Sequence, residues 1–386
     1  LGTLKIFSIE DIFPENVPHE LPMEMAMKKS GDNTIAQFCV NYIDKHTESQ
    51  VVLVTRDTIL RLKAQALGIA CEDYRKFNVA TSVNSLYSGV RVIEREDVLV
   101  GQFYANDEQF HLPEDIEAEL FPNQFVILKN GAQQSAMARF VNKGEPLRPL
   151  GDISSKISPR NKEQEFAREL LFDESVKLVT LAGKSGCGKT LLAIDAGLEQ
   201  VLNTRRYRSL VICRPVMPVG KDIGFLPGDL NEKLEPWLAP IKDNLRFLLG
   251  ASEPPKETNS GTRKKKLAEQ PKFDEQVLQS YFEEGIIEVQ AMTFIRGRSI
   301  ANAFIIVDEA QNTNLHEIKT ILTRVGENTK IVLTGDLEQI DSTYVDSVSN
   351  GLSIAIERFK PQKISGHVTF LKGERSALAS ISAEIL

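Results

Sequence analysis

The sequence has no long apolar run and only four cysteines, and each shortage excludes a class of protein. No stretch approaches the roughly 18 apolar residues that suggest a membrane span, so we expect no membrane partner. The cysteines (Cys39, Cys71, Cys187 and Cys213) form no C-x-x-C pair, which argues against a zinc site or a disulfide framework and fits a reducing cytoplasm. The formal net charge of −7 means that nucleic acid would need a local basic patch.

Length and local composition divide the chain into three parts. The 386 residues begin with Leu1 and show no signal-peptide pattern, so we expect a fragment of a longer protein. Domains of roughly 100–200 residues predict two or three of them. We assign residues 1–84 to an α/β domain, 85–150 to a small β-rich connector and 151–386 to an α/β core domain.

The most informative stretch is a glycine loop at residues 183–190. It fits the pattern G-x-x-x-x-G-K-[ST] and lies between a strand-like run at 176–181 and a helical pattern at 191–202. In such a loop the backbone N–H groups cradle phosphates at a helix N-terminus. The lysine reaches the β and γ phosphates, and the threonine hydroxyl ligates Mg²⁺. We predict that ATP binds Gly183, Lys184, Ser185, Gly186, Cys187, Gly188, Lys189 and Thr190.

Two later strand-like runs end in polar residues that suit ATP hydrolysis. The apolar run 303–307 is followed by Asp308 and Glu309. An aspartate at this place can hold Mg²⁺ through water, and an adjacent glutamate can polarise the attacking water. The run 330–334 ends in Thr334 and is followed by Gln339, and both would lie beside the γ-phosphate. The alternative for the second run is a structural Gly-Asp turn.

One glutamine and several arginines are further candidates for the same site. Gln164 precedes the glycine-loop strand, where helicase-like ATPases use a glutamine to bind adenine; an ordinary helix N-terminal residue is the alternative. Arg296 and Arg298 precede the acidic strand, and Arg375 follows the last predicted strand. Any of them could act as an arginine finger on the phosphoryl group or form a surface salt bridge. We rank Arg375 first.

Three stretches bear on nucleic-acid binding. Residues 215–240 form a long connection rich in Gly and Pro with Lys221, Phe225 and Trp237, whose side chains could clamp single-stranded bases or pack the loop down. The basic run 263–266 could touch phosphates, although a solvated charge run is the better interpretation. The connector has short runs at 90–93, 98–100, 109–112 and 124–128, which predict a small antiparallel, barrel-like module that serves as a spacer.

Two aspartates in the first part could share a divalent cation. A helical pattern at 33–46 follows Asp32, and a buried strand at 51–55 leads to Asp57. Ligands and metals gather at the carboxyl ends of parallel strands. The alternative is that Asp32 caps a helix and Asp57 is a solvated carboxylate in the first turn of the next one.

In combination, these motifs resemble two known families. The blocks at 159–164, 183–190, 214–230, 293–299, 307–311, 334–341 and 373–376 are similar to PhoH-family ATPases over essentially all of residues 151–386. Residues 31–33 and 53–60 resemble the C-terminal half of a PIN ribonuclease domain, in which several carboxylates hold Mg²⁺ or Mn²⁺ and two match Asp32 and Asp57. The earlier acidic residues of that family have no counterpart, so we expect nuclease activity in the full-length protein rather than in this chain.

The resemblance implies an ATP-driven RNA motor coupled to RNA cleavage, assembled as a ring-like hexamer. The expected fold is a P-loop NTPase with a RecA/helicase-like parallel sheet, preceded by a partial PIN-like domain. A superfamily-1 helicase carries two such cores, whereas this chain has one P-loop, so translocation along single-stranded RNA requires a homo-oligomer. Three alternatives remain: an ATPase switch that never unwinds, a P-loop kinase, which Glu309 disfavours, and an inactive PIN half that only binds RNA.

Overall fold

The structure is a computed structural model, and the part of the chain that it describes falls into two compact units, Leu1–Lys76 and Phe77–Leu386. The described residues are 31–46, 50–55, 57–72, 78–94, 99–105, 109–130, 135–215, 230–250, 275–295, 297–342 and 345–373. Among them, no helix is both long and apolar enough to cross a membrane.

The described residues of the first unit form two helices and a pair of short parallel strands. Its elements are α1 (Gly31–Lys45), β1 (Val52–Val54), α2 (Thr58–Ala66) and β2 (Ala70–Glu72). Val52 lies opposite Ala70 in the parallel pair, and Cys39, Ala64 and Ile69 form a small buried core. The predicted helix at 33–46 and strand at 51–55 are therefore confirmed.

The second unit begins with a four-stranded sheet in the order β3-β4-β5-β6. Its elements are β3 (Val90–Glu94), α3 (Leu99–Ala105), α4 (Glu114–Glu117), β4 (Gln124–Lys129), β5 (Ser135–Phe140) and β6 (Arg148–Pro149). The predicted antiparallel pairing is found between β4 and β5 and between β5 and β6. It is wrong for β3, which pairs with β4 in parallel. A parallel pair needs a long crossover, and the helices α3 and α4 provide it.

The predicted strands at 98–100 and 109–112 are also wrong. Residues 99 and 100 begin α3, and residues 109–112 have no regular structure. Short apolar runs fit a strand or a helix equally well. Here Val100, Phe103 and Phe110 become buried against the sheet without joining it.

This small sheet packs on the domain that follows it. The rings of Phe125 and Phe166 stack with their centroids 4.4 Å apart. The buried Arg139 guanidinium binds the carboxylate of Asp173 at 2.7 Å. Asn123 donates to the backbone carbonyl of Ser365 at 2.8 Å. Residues of the connector therefore share one hydrophobic core with the domain that follows.

The larger sheet has six described strands, all parallel, in the order β12-β7-β11-β10-β8-β9. The strands are β7 (Leu178–Gly183), β8 (Ser209–Arg214), β9 (Ile287–Ala291), β10 (Ala303–Val307), β11 (Lys330–Gly335) and β12 (Ser365–Phe370). The helices are α5 (Lys162–Phe172), α6 (Lys189–Leu198), α7 (Leu230–Gly250), α8 (Glu275–Glu283), α9 (Leu315–Leu322) and α10 (Gly351–Phe359). Separate apolar clusters cover the two faces of the sheet. The predicted α/β class with a parallel sheet is confirmed.

The long connection predicted at residues 215–240 is shorter than expected. Residues 230–240 belong to α7 although Pro236 and Pro240 lie within it. Prolines in a helix interior remove backbone hydrogen bonds. Packing outweighs that cost here, because Leu238, Ile241 and Leu245 are buried in the core.

The strand order decides where the functional site forms. Strand β11 lies between β7 and β10, and β8 pairs with the other side of β10. Carboxyl ends of parallel strands meet at one edge of the sheet. Four loops that are far apart in sequence therefore become neighbours: those after β7, β8, β10 and β11.

Candidate nucleotide site

Glycine backbone conformations shape the loop between β7 and α6. Gly186 and Gly188 have φ angles of 83° and 88°, in the left-handed region that favours glycine. A Cβ atom at Gly183 would lie 2.6 Å from the carbonyl oxygen of Phe370, so this position has no room for a side chain. The loop ends at the N-terminus of α6, where free backbone N–H groups and the helix dipole favour an anion.

Lys189 and Gln164 hold the backbone of this loop. The Lys189 ammonium donates to the carbonyl oxygens of Gly183 at 2.6 Å and of Lys184 at 3.0 Å. The Gln164 amide donates to the carbonyl oxygen of Cys187 at 3.0 Å and accepts from the Arg160 N–H at 2.7 Å. Gln164 is thus buried behind the loop and supports its backbone, and its contact with adenine stays a prediction.

Asp308 joins three motifs that are separate in sequence. Its Oδ1 atom accepts from the hydroxyls of Thr190 and Thr334, each at 2.7 Å. The strand register enforces this meeting, because Val307 pairs with Leu333 on β11 and the Asp308 N–H donates to the Cys213 carbonyl at 2.9 Å. The carboxylate is thus fixed between the glycine loop and the end of β11.

Glu309 follows with an unusual backbone conformation. Its φ of 53° and ψ of 40° are left-handed, which is uncommon for a residue other than glycine. Arg214 Nη2 donates to its Oε1 at 3.1 Å, and Gln311 Nε2 donates to its Oε2 at 2.6 Å. Burial raises the pKa of the Glu309 carboxyl, and the neighbouring charge of Asp308 adds to the rise.

Gln311 links Glu309 to the turn after β11. Its side chain is fully buried, and its Nε2 also donates to the Gln339 carbonyl at 2.9 Å. Its Oε1 accepts from the Asp336 N–H at 3.1 Å. The sequence gives Gln311 no role. Its position near the acidic pair does not reveal that its side chain contacts the turn after β11.

The turn after β11 also contacts the glycine loop. Asp336 is buried, and its Oδ2 accepts from the Ser185 N–H at 2.7 Å. At the surface, Lys184 pairs with Glu338 at 3.3 Å. The Gln339 side chain is exposed, and its predicted place beside the γ-phosphate stays a prediction.

A cleft of about 190 Å³ opens beside the glycine loop and the ends of β10 and β11. Its lining residues are Ser185, Gly186, Gly188, Lys189, Thr190, Leu191, Asn244, Asp308, Glu309, Gly335 and Asp336. Asn244 comes from α7 and carried no signal in the sequence. The cleft combines the N-terminus of α6, one lysine and several carboxylates, which suits a phosphate group accompanied by a cation.

The oxygen donors of the cleft fit magnesium. Mg²⁺ prefers oxygen ligands and usually takes one or two carboxylates together with substrate phosphates. The Thr190 hydroxyl and the Asp308 carboxylate lie in contact beside the glycine loop. No group of three or more His, Cys, Asp and Glu residues in the described ranges could hold a metal ion, so the phosphates would have to complete the coordination.

The other candidates lie apart from this cleft or outside the described residues. Arg298 pairs with Glu288 at 2.9 Å on the surface. Outside the described residues lie Arg296, Arg375, Lys221, Phe225, the side chain of Trp237 and the basic run 263–266. The roles predicted for all of these stay predictions.

The two aspartates of the first unit have local structural partners. Asp57 is the N-cap of α2, where its Oδ1 accepts from the N–H groups of Ile59 at 2.8 Å and Leu60 at 2.9 Å. Asp32 pairs with Lys63 at 3.1 Å. The predicted metal roles of Asp32 and Asp57 stay predictions.

Comparison with known families agrees with this geometry. A family model described as PhoH-like protein matches residues 156–381, and a PIN domain model matches residues 6–75. The chain belongs to the PhoH family. A PIN domain precedes its PhoH part, and the resemblance inferred from the motifs is therefore confirmed.

Relatives share this arrangement over most of the chain. Protein PhoH2 of Bacillus subtilis (strain 168) is 43% identical over 377 residues, which cover 95% of this chain and 80% of that protein. Protein PhoH2 of Mycolicibacterium smegmatis is 34% identical, covering 87% of this chain and 70% of that protein. Among solved structures, the helicase domain of Pyrococcus furiosus Hef covers 55% of this chain and 38% of its own length with a TM-score of 0.30 and 11% identity.

Proposed function

We propose that this PhoH-family chain hydrolyses ATP with Mg²⁺ to move or unwind single-stranded RNA, and that its PIN domain belongs to a coupled ribonuclease. The observation that carries the proposal is the meeting of Thr190 and Thr334 on Asp308, with Glu309 held beside them. This arrangement supplies a cation site and a water-polarising carboxylate next to a phosphate loop. A kinase would gain nothing from such a glutamate.

Each group in the cleft has a distinct part in hydrolysis. Lys189 binds the β and γ phosphates together with the backbone N–H groups of the loop. Thr190 and Asp308 would hold Mg²⁺, which would neutralise phosphate charge. Glu309 orients the attacking water. The remaining roles follow the sequence predictions. Gln164 hydrogen-bonds adenine, and Thr334 and Gln339 respond to the γ-phosphate. Arg375 is the arginine finger that stabilises the phosphoryl charge.

The RNA-related part of the proposal rests on the family arrangement. Single-stranded RNA is the proposed partner, and a homo-oligomeric ring, with a hexamer favoured, is the proposed assembly. The connection at residues 215–240, with Lys221, Phe225 and Trp237, is the proposed RNA contact. In the PIN half, Asp32 and Asp57 are the proposed ligands of Mg²⁺ or Mn²⁺, and the location is proposed as cytoplasmic.

A switch that hydrolyses ATP without moving RNA is the second candidate. The turn after β11 touches the glycine loop through Asp336 and reaches Glu309 through Gln311. A change in the nucleotide would therefore be passed to this turn and then to a bound partner. Such a switch needs no RNA for turnover.

Phosphate release from Mg·ATP, measured with and without single-stranded RNA, tests the proposal. Glu309→Gln removes the carboxylate but keeps the shape, so we expect hydrolysis to fall at least about 100-fold. The exposed Glu327→Gln on the same domain is the matched control and should hydrolyse like the wild type. We expect RNA to stimulate the wild type. Equal turnover by the wild type and Glu309→Gln would refute hydrolysis through Glu309 in this cleft. Turnover indifferent to RNA would favour the switch.

A further inference from the structure

Arg214 meets Glu309 because of the strand register. It is the last residue of β8, which lies parallel to β10 with Cys213 opposite Val307. The backbone N–H of Asp308 continues this ladder by donating to the Cys213 carbonyl at 2.9 Å. The residues that follow on the two strands are therefore brought to the same place, and the Arg214 guanidinium reaches Glu309 Oε1 at 3.1 Å.

The pair is better protected than an ordinary surface salt bridge. The side chains of Arg214 and Glu309 are 23% and 34% exposed, whereas exposed pairs contribute little because water screens them. Its hydrogen bond joins two ionised groups, and such bonds are stronger than neutral ones. This contact can therefore restrain the carboxylate.

The two oxygens of Glu309 are held by different partners. Arg214 binds Oε1 and Gln311 binds Oε2. A carboxylate offers about four lone-pair sites, so two hydrogen bonds fix its plane and still leave sites for a water molecule. The left-handed backbone of Glu309 is a conformation that persists only where its surroundings impose it.

We propose that Arg214 is a positioning residue for ATP hydrolysis, which fixes the Glu309 carboxylate in the orientation that the attacking water requires. This inference rests on the proposed hydrolase function and deepens it. The Arg214 guanidinium binds the Glu309 carboxylate, so Arg214 acts through Glu309. It should therefore affect the rate of turnover more than the binding of ATP.

Steady-state hydrolysis of Mg·ATP by the full chain, without RNA, tests the proposal. We expect Arg214→Ala to lower kcat roughly 10- to 100-fold, the scale at which a misplaced catalytic group costs rate, and to change KM less than about twofold. Arg214→Lys keeps the charge and should recover part of kcat. In the Glu309→Gln background, Arg214→Ala should cause no further loss, because residues that act as one unit are not additive.

Arg91→Ala is the matched control. Arg91 forms an exposed salt bridge with Glu119, and neither residue belongs to the cleft motifs. This variant should leave kcat and KM unchanged. The proposal is overturned by a wild-type or raised kcat in Arg214→Ala, by a change in KM alone, or by a full additional loss in the double variant. If Arg214→Ala does not fold, Arg214→Lys and the corresponding double variant decide the same question.

The test also separates this inference from the proposed function. Wild-type turnover that Glu309→Gln does not reduce would refute hydrolysis through Glu309 and, with it, the role of Arg214. Turnover that depends on Glu309 but not on Arg214 would overturn only the positioning role.

Discussion

At the scale of single residues, Asp308 organises the cleft because one of its oxygens accepts from two threonine hydroxyls. The Thr334 hydroxyl is buried, and the hydrogen bond to Asp308 satisfies it. The same carboxylate is the proposed ligand of Mg²⁺, so a cation would take over contacts that the hydroxyls make here. This arrangement keeps a charged group in place in a cleft that also contains Glu309 and Asp336.

The buried His367 gives the fold a pH dependence of its own. Its ring contacts the Thr180 hydroxyl at 2.8 Å and the Thr369 hydroxyl at 2.8 Å. Burial lowers its pKa from 6.5 to about 3, so the imidazole stays neutral in the folded chain. The unfolded chain takes up the proton below about pH 6.5 and the folded chain does not. Stability is therefore fully present above the unfolded pKa of 6.5 and is lost as the pH falls from there towards about 3.

We expect this histidine to reduce the free energy of unfolding by about 1.4 kcal/mol per pH unit below about pH 6. Urea unfolding at several pH values between about 7.5 and 5, across the unfolded pKa of histidine, measures the slope for the wild type and for His367→Gln. The variant should be less stable at the upper end of this range. Its free energy of unfolding should fall less steeply with decreasing pH, by the slope that corresponds to the uptake of about one proton on unfolding. Identical slopes would contradict a neutral His367 in the folded chain.

Sequence reasoning located the residues that belong to local motifs and missed those that act across strands. Lys189, Asp308 and Glu309 were predicted because each follows a strand-like run with a recognisable pattern. Gln311 and Asp336 were given no role because their partners lie on other strands. Only the register of β8 against β10 shows that Arg214 reaches Glu309.

At the scale of secondary-structure elements, the turn after β11 is tied to the acidic strand through one buried glutamine. Gln311 is held at both ends of its amide, by the Asp336 N–H and by the Gln339 carbonyl. The turn, the glycine loop and Glu309 are therefore connected in a single polar network. In such a network each lost hydrogen bond leaves a buried group without a partner.

Gln311→Leu should disturb both stability and turnover. The apolar side chain leaves the Asp336 N–H and one Glu309 oxygen without their partner, so we expect a loss of about 2–4 kcal/mol in the free energy of unfolding and a lower kcat. Gln200→Leu is the matched control, because Gln200 is equally buried but binds the carbonyls of Leu171 and Ala196 away from the cleft. It should lose stability with kcat unchanged. Chemical denaturation and phosphate release measure the two quantities. Equal effects of both variants on kcat would contradict a special role of Gln311.

The element boundaries show where short-range patterns fail. The runs 303–307 and 330–334 are correctly predicted as strands, and their residues are buried. Val100, Phe110 and Leu112, from the runs at 98–100 and 109–112, instead pack against a sheet without joining it. Helix α7 retains two prolines because its apolar side is buried in the core. Long-range packing decided each of these cases.

At the scale of the whole molecule, the chain combines a PIN domain with a PhoH part whose strand order assembles the nucleotide cleft. The family and the fold class could be predicted because the motifs are specific in combination. The mixed sheet at residues 90–149 could not be predicted. Its parallel pair, β3 and β4, depends on a helical crossover that no local pattern reveals. Coupling of ATP turnover to movement along RNA is the central claim for the molecule.

Strand separation tests that claim most directly. The substrate is a short RNA duplex with a single-stranded overhang, offered with the overhang at either end, and the release of the labelled strand is followed with Mg·ATP. The account predicts release that requires ATP and disappears in Glu309→Gln, while Glu327→Gln releases the strand like the wild type. ATP hydrolysis that RNA stimulates, but that releases no strand from either duplex, would contradict an unwinding motor.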